Sequence, residues 1–106
     1  MKTFFVPNAK AQTNGTSFHN HTFPATIRQL ETLFGEAHAL GCPEDKVTHD
    51  WSFSDGQGNV CTVYDWKLYQ QPGRDQVIHW HIGAHSPEIA ATFLVWITNT
   101  LKTEKV

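Results

Sequence analysis

The chain has 106 residues, enough for one domain with one modest core, so a pocket inside a single subunit must be small. Its formal charge of -2 excludes a basic field for duplex DNA or RNA, and no stretch is long and apolar enough to span a bilayer. Four Trp, seven Phe and two Tyr make it aromatic-rich, which suits ligands that stack.

Residues 1–14 read as an N-terminal arm, and 15–106 as a single α+β domain. Within the arm, Thr3–Val6 has the composition of a short edge strand, and Pro7–Gly15 that of a loop. It lacks an apolar run long enough for a signal peptide. The stretch TSFHNHTF, 16–23, reads as a short strand, with Phe18, Asn20 and Thr22 on one face and His19, His21 and Phe23 on the other. A helix then starts at Thr26, which forms a capping box with Gln29, and its stripe is Ile27, Leu30, Leu33 and Phe34. Gly35 is placed to end it in the left-handed conformation. EAHALGCPED, 36–45, is a polar connection.

KVTHDWSFS, 46–54, alternates, with Val47, His49, Trp51 and Phe53 opposite Thr48, Asp50 and Ser52. DGQGN, 55–59, is a hairpin turn by composition, and VCTVYDWKLY returns as a central strand. QVIHWHIG, 76–83, is a third long strand with Val77, His79 and His81 on one face and Ile78, Trp80 and Ile82 on the other. The last element is a helix with Ser86 as N-cap, Pro87 at its first position, and Glu88 favourable to its dipole. Its apolar face is Ile89, Phe93, Trp96, Ile97 and Leu101. The order β-α-β-β-β-α predicts a two-layer sandwich: a mainly antiparallel sheet of about four strands with two helices on one face.

Five of the seven histidines fall in FHNHTF and HWHIGAHS. Each HxH pair puts two imidazoles on one side of a strand, so adjacent strands would give four ligands for zinc, nickel or iron. Pairs of surface histidines give the same pattern, and four-ligand geometry is demanding, so no metal is assigned. The letters HNH at 19–21 do not make a nuclease, whose motif is dispersed over a longer ββα unit. Cys42 and Cys61 have no paired spacing and read as reduced cytosolic thiols, Cys61 being an inert one inside an apolar strand. No nucleophile–base spacing stands out, so no catalytic set is assigned.

A nucleotide-like ligand is the better fit. In YDWK, 64–67, Trp66 can stack on a base and Lys67 can meet a phosphate. Gly83–Ser86 leads into a capped helix whose amides favour an anion. Trp66 and Trp80 are equally candidates for the core, and for at least one of them the core is the better reading.

Several short motifs occur in order: GTS at 15–17, LFGEA at 33–37, DKVTHDWSF at 45–53, TVYDWK at 62–67 and WHIGAHS at 80–86. Over about residues 15–100 the chain resembles a family of small phage proteins. That family reads Gly-Thr-Ser, Phe-Gly-Glu-Pro, Asp-Lys-Val-Thr-x-Glu-Trp, Tyr-Asp-Trp-Lys and Trp-His-Ile-Gly-Gly. Its members in T-even-like phages are implicated as sponges for cyclic dinucleotide signals of the host's cyclic-oligonucleotide defence (CBASS). The resemblance implies a homo-oligomer in the host cytoplasm, with ligand near subunit contacts, no cofactor and no cleavage. It carries Thr16, Ser17, Tyr64, Trp66, Lys67, Trp80, His81 and Gly83 over as ligand-binding positions. Departures are Ala84 for the second Gly, Ala37 for Pro and Asp50 for Glu. His19, Asn20 and His21 stand where Gln, Gly and an aromatic residue are expected, which adds His21 as a candidate contact.

The leading expectation is therefore a phage anti-defence protein that sequesters a cyclic nucleotide, a 3',3'-cyclic dinucleotide. Alternatives are a sponge for a cyclic ADP-ribose isomer, a protein-binding inhibitor of a host defence enzyme, and a small His-rich metal-binding protein.

Overall fold

The computed structural model describes residues 5–41, 47–66 and 72–104. Among them are six strands and two helices: β1 (Val6–Pro7), β2 (Ser17–Ala25), α1 (Ile27–Phe34), β3 (Ala39–Leu40), β4 (His49–Ser54), β5 (Val60–Tyr64), β6 (Ile78–Ala84) and α2 (Pro87–Glu104). The architecture is α+β, and the strands form one open antiparallel sheet in the order β1-β4-β5-β6-β2, with β3 also on β4. The sequence predicts about four strands. Those four are β2, β4, β5 and β6, and the count is corrected to six by β1 and β3. Each of the added strands is two residues long, too short to carry a hydrophobic period. They pair with opposite ends of the same edge of β4, Val6 facing Ser54 and Leu40 facing His49.

Period-two alternation decides which face is buried. On β4, β5, β6 and β2 the residues Trp51, Phe53, Cys61, Val63, Trp80, Ile82, Phe23 and Ala25 point to one side and are almost fully buried. Ala90, Phe93 and Ile97 from α2 and Ile27 and Leu30 from α1 complete the same cluster. Phe5 joins it edge-on to Phe93, with ring centroids 4.9 Å apart, so the start of the described chain is anchored in the core. Each buried aromatic contributes about 1.5–3 kcal/mol. The two core indoles also satisfy their N–H groups: Trp51 donates to the Gly35 carbonyl at 3.0 Å and Trp80 to the Ala25 carbonyl at 2.9 Å.

Both helix starts follow their sequence signals. Thr26 and Gln29 form the reciprocal capping box, and Gly35 donates its N–H to the Glu31 carbonyl. Gly35 has φ 83° but an extended ψ of -173°, so it leaves the helix by a route other than the left-handed turn expected. Ser86 Oγ accepts the Ile89 amide at 3.2 Å and so caps α2. In α2 the Thr hydroxyls at 92, 98, 100 and 103 donate back to carbonyls four residues earlier.

Register along β2 is not uniform. Phe23 faces Trp80 and Thr22 faces His81, but Phe18 faces Gly83. The extra residues form a bulge at His19–Asn20–His21, and Asn20 sits at φ 65°, a conformation that Asn tolerates better than most residues. The strict alternation predicted for this strand therefore fails at its N-terminal half. No helix among the described residues is long and apolar enough to cross a membrane.

Candidate ligand site on the sheet face opposite the core

The residues that alternate with the core define the other face. Asp50 on β4 faces Tyr64 on β5, which faces His81 on β6; one step along, Ser52 faces Thr62, which faces Gly83. An open hollow of ≈ 270 Å³ lies on this face, lined by Thr13, Thr16, Ser17, Val47, Asp50, Thr62, Tyr64, Trp66 and Gly83.

Gly83 forms the floor because nothing larger fits. A Cβ there would collide with Thr62 Oγ1, and would come within 3.5 Å of the Tyr64 ring and 3.8 Å of Thr16 Oγ1. The rim comes from the residues after β1. Asn8 Nδ2 donates to Ser54 Oγ at 3.2 Å, which fixes the chain to this face of β4. The turn at 13–16 is closed by the Thr16 amide and hydroxyl, both donating to the Thr13 carbonyl at 3.1 and 2.8 Å. Gly15 takes φ 88° there, and His85 Nε2 donates to the neighbouring Asn14 carbonyl at 3.0 Å. Thus Gly-Thr-Ser is the hydroxyl-bearing rim, held down from the β6–α2 junction.

The wall is aromatic. His81 stacks on Phe18 with centroids 4.4 Å apart, and lies 5.6 Å from Tyr64 and 6.2 Å from Trp66. Trp66 is 40% exposed and lines the hollow. Burial lowers the His81 pKa, which keeps the ring neutral at pH 7.

Two aspartates have opposite roles. Asp65 is fully buried and accepts from the Thr48 amide at 2.7 Å, the His49 amide at 3.0 Å and the Thr48 hydroxyl. It ties the end of β5 to the start of β4 and so aligns Tyr64 beside Asp50. Asp50 points into the hollow, and among the described residues no group donates a hydrogen bond to its carboxylate. Burial, with the Asp65 charge behind it, pushes Asp50 up to about 6. Burial and the Asp50 charge raise Tyr64 as well.

Of the sequence candidates, the fold brings Thr16, Ser17, Tyr64, Trp66 and Gly83 around one hollow, with His81 against its aromatic wall. Trp80 lies on the other face, fully buried, and is a core residue. His21 is half-buried in the β2 bulge and is not part of the lining. Lys67 lies outside the described residues, as does Cys42. Sequence reasoning missed Thr13, Val47, Asp50 and Thr62. Thr62 was findable, since it lies two residues from Tyr64 on the same strand face; Asp50 was findable in the same way through its cross-strand position.

The two HxH pairs do sit on adjacent strands, but the Phe23–Trp80 pairing puts them on opposite parity, and the bulge lifts His19–His21 out of the ladder. Among the described residues no group of three or more His, Cys, Asp or Glu converges as a metal set. Cys61 is buried on the core side, its thiol pushed up to about 12 by burial, with a smaller contribution from Asp55. No protein-family model matches the chain, and no curated protein or solved structure matches it.

Proposed function

We propose that the protein is a phage-encoded sponge that binds a cyclic nucleotide immune signal, a 3',3'-cyclic dinucleotide, in this hollow and holds it without cleaving it. The observation that carries the reading is the convergence of Thr16, Ser17, Tyr64, Trp66 and Gly83, from three separate stretches of sequence, on one hollow beside His81. Base–aromatic stacking contributes about 1–3 kcal/mol per base. Rim hydroxyls supply donors and acceptors for ribose or phosphate, and a neutral His81 offers one donor and one acceptor. Sequestration needs tight binding and slow release, and it needs no activated nucleophile.

The hollow, at ≈ 270 Å³, falls just below the roughly 300–1,000 Å³ of pockets for drug-sized ligands. It holds one nucleoside of a cyclic dinucleotide, and the other half extends beyond it. A second copy of the chain covering that half makes the working form a homo-oligomer with ligand at the subunit contact.

Calorimetric titration with cyclic di- and trinucleotides and cyclic ADP-ribose isomers tests this. Heat of binding from a 3',3'-cyclic dinucleotide is expected, with the ligand recovered unchanged after denaturation. Absence of heat for the whole panel, with protein in the tens of micromolar, overturns the reading; hydrolysed ligand overturns sequestration; preference for a cyclic ADP-ribose isomer moves the substrate class.

A further inference from the structure

We propose that Asp50 is the residue that selects the base, reading the N1–H and 2-amino donors of guanine; this rests on the sponge reading above. Asp50 is the only carboxylate among the described residues that line the hollow. It stands directly across the β4–β5 ladder from Tyr64, beside the aromatic wall. A carboxylate drawn part-way out of water without a donor is unfavourable, and a pair of N–H donors is what offsets that cost.

The sign of its charge orients the ligand. A nucleotide phosphate is repelled by Asp50, so the anionic backbone lies toward the hydroxyl rim of Thr16 and Ser17, and the base edge comes to the carboxylate. Among the common bases only guanine presents two adjacent donors on its Watson–Crick edge, spaced for the two oxygens of one carboxylate. Adenine and cytosine each set a single amino group beside a ring acceptor, which would face an Asp50 lone pair. Uracil flanks its one N–H with two carbonyls. Burial raises the Asp50 pKa to about 6, with Asp65 adding to it, yet the group is still ionised above pH 7 and able to accept both bonds.

The test titrates the wild-type chain with cyclic di-GMP, cyclic di-AMP and cyclic di-IMP, whose base differs from guanine only by lacking the 2-amino group. Cyclic di-GMP is expected to bind at least tenfold tighter than either, the size of one charge-assisted hydrogen bond. Asp50→Asn should weaken cyclic di-GMP at least tenfold and should not weaken cyclic di-AMP, whose amino group and ring acceptor match the Asn amide, with far-UV circular dichroism unchanged. Equal affinity for cyclic di-GMP and cyclic di-IMP in the wild type overturns the assignment while the sponge reading stands, and that arm does not depend on a variant folding. Equal affinity for cyclic di-AMP does the same and points to ribose or backbone contacts at Asp50. No binding of any cyclic nucleotide overturns both.

Discussion

Gly83 is where the site and the fold compete for one volume. Thr62 Oγ1 occupies the space a Cβ would need, so Gly83→Ala forces either the Thr62 side chain or the β5–β6 pair to shift on the hollow side. Overpacking of this kind costs about 1–3 kcal/mol. Urea unfolding of Gly83→Ala should show that loss, and adding Thr62→Ala in the same chain should recover most of it. Ligand affinity should fall with the first change and stay low with the second, because the floor has been raised. Asp50 makes a different demand. Its pKa in the folded protein, about 6, lies above its ordinary 3.8, so the folded state holds a proton that the unfolded chain releases. Stability is therefore greatest below pH 4 and declines as pH rises through about 6, as far as this group is concerned. The groups facing it are Tyr64 and, behind it, Asp65, with His81 one strand further along. Asp50→Asn should flatten that part of the pH profile and raise the thermal midpoint at pH 8. A variant with wild-type pH dependence between 4 and 7 would contradict this.

At the scale of elements, the Asp65 knot holds β4 and β5 in the alignment the hollow needs. Three donors end on one buried carboxylate, so Asp65→Ala leaves two amides and a hydroxyl without a partner, at a cost of about 3 kcal/mol. Asp65→Asn keeps one acceptor oxygen and should lose less. Denaturant titration of the pair checks the order. The alternation of β4, β5 and β6 was plain in the sequence, because half-buried strands must repeat every two residues; the caps Thr26 and Ser86 were plain because they satisfy otherwise orphaned amides. The bulge in β2 was not legible. It lies between two contacts to β6, Phe23 opposite Trp80 and Phe18 stacked on His81, and register is a relation between two strands rather than a property of one. For the same reason the role of Asp65 does not show in the stretch YDWK, because its partners lie 16 and 17 residues away. The bulge and Pro24 also blunt the free edge of β2 against pairing with another sheet.

For the whole molecule, the two tryptophans that the motifs treat alike are separated by the sheet between them. Trp80→Ala empties a fully buried site and should cost about 3–5 kcal/mol. Trp66→Ala, at 40% exposure, should leave the unfolding midpoint near wild type and abolish cyclic dinucleotide binding. Intact binding in a folded Trp66→Ala chain would remove the indole from the site. If one hollow holds one nucleoside, sedimentation of the complex should give one cyclic dinucleotide for two chains, and a one-to-one ratio would count against a shared ligand.

The hollow and the core are threaded through the same strands in alternate residues: Asp50 beside Trp51, Tyr64 beside Val63, Gly83 beside Ile82. A one-residue insertion or deletion inside β4, β5 or β6 would exchange the two sets, sending indoles to solvent and a carboxylate inward. Ligand choice at the hollow can therefore be altered only by substitution in place. Changes of length belong instead at the Asp55–Asn59 turn, whose glycines have open space around them, and a residue inserted there should leave the unfolding midpoint near wild type.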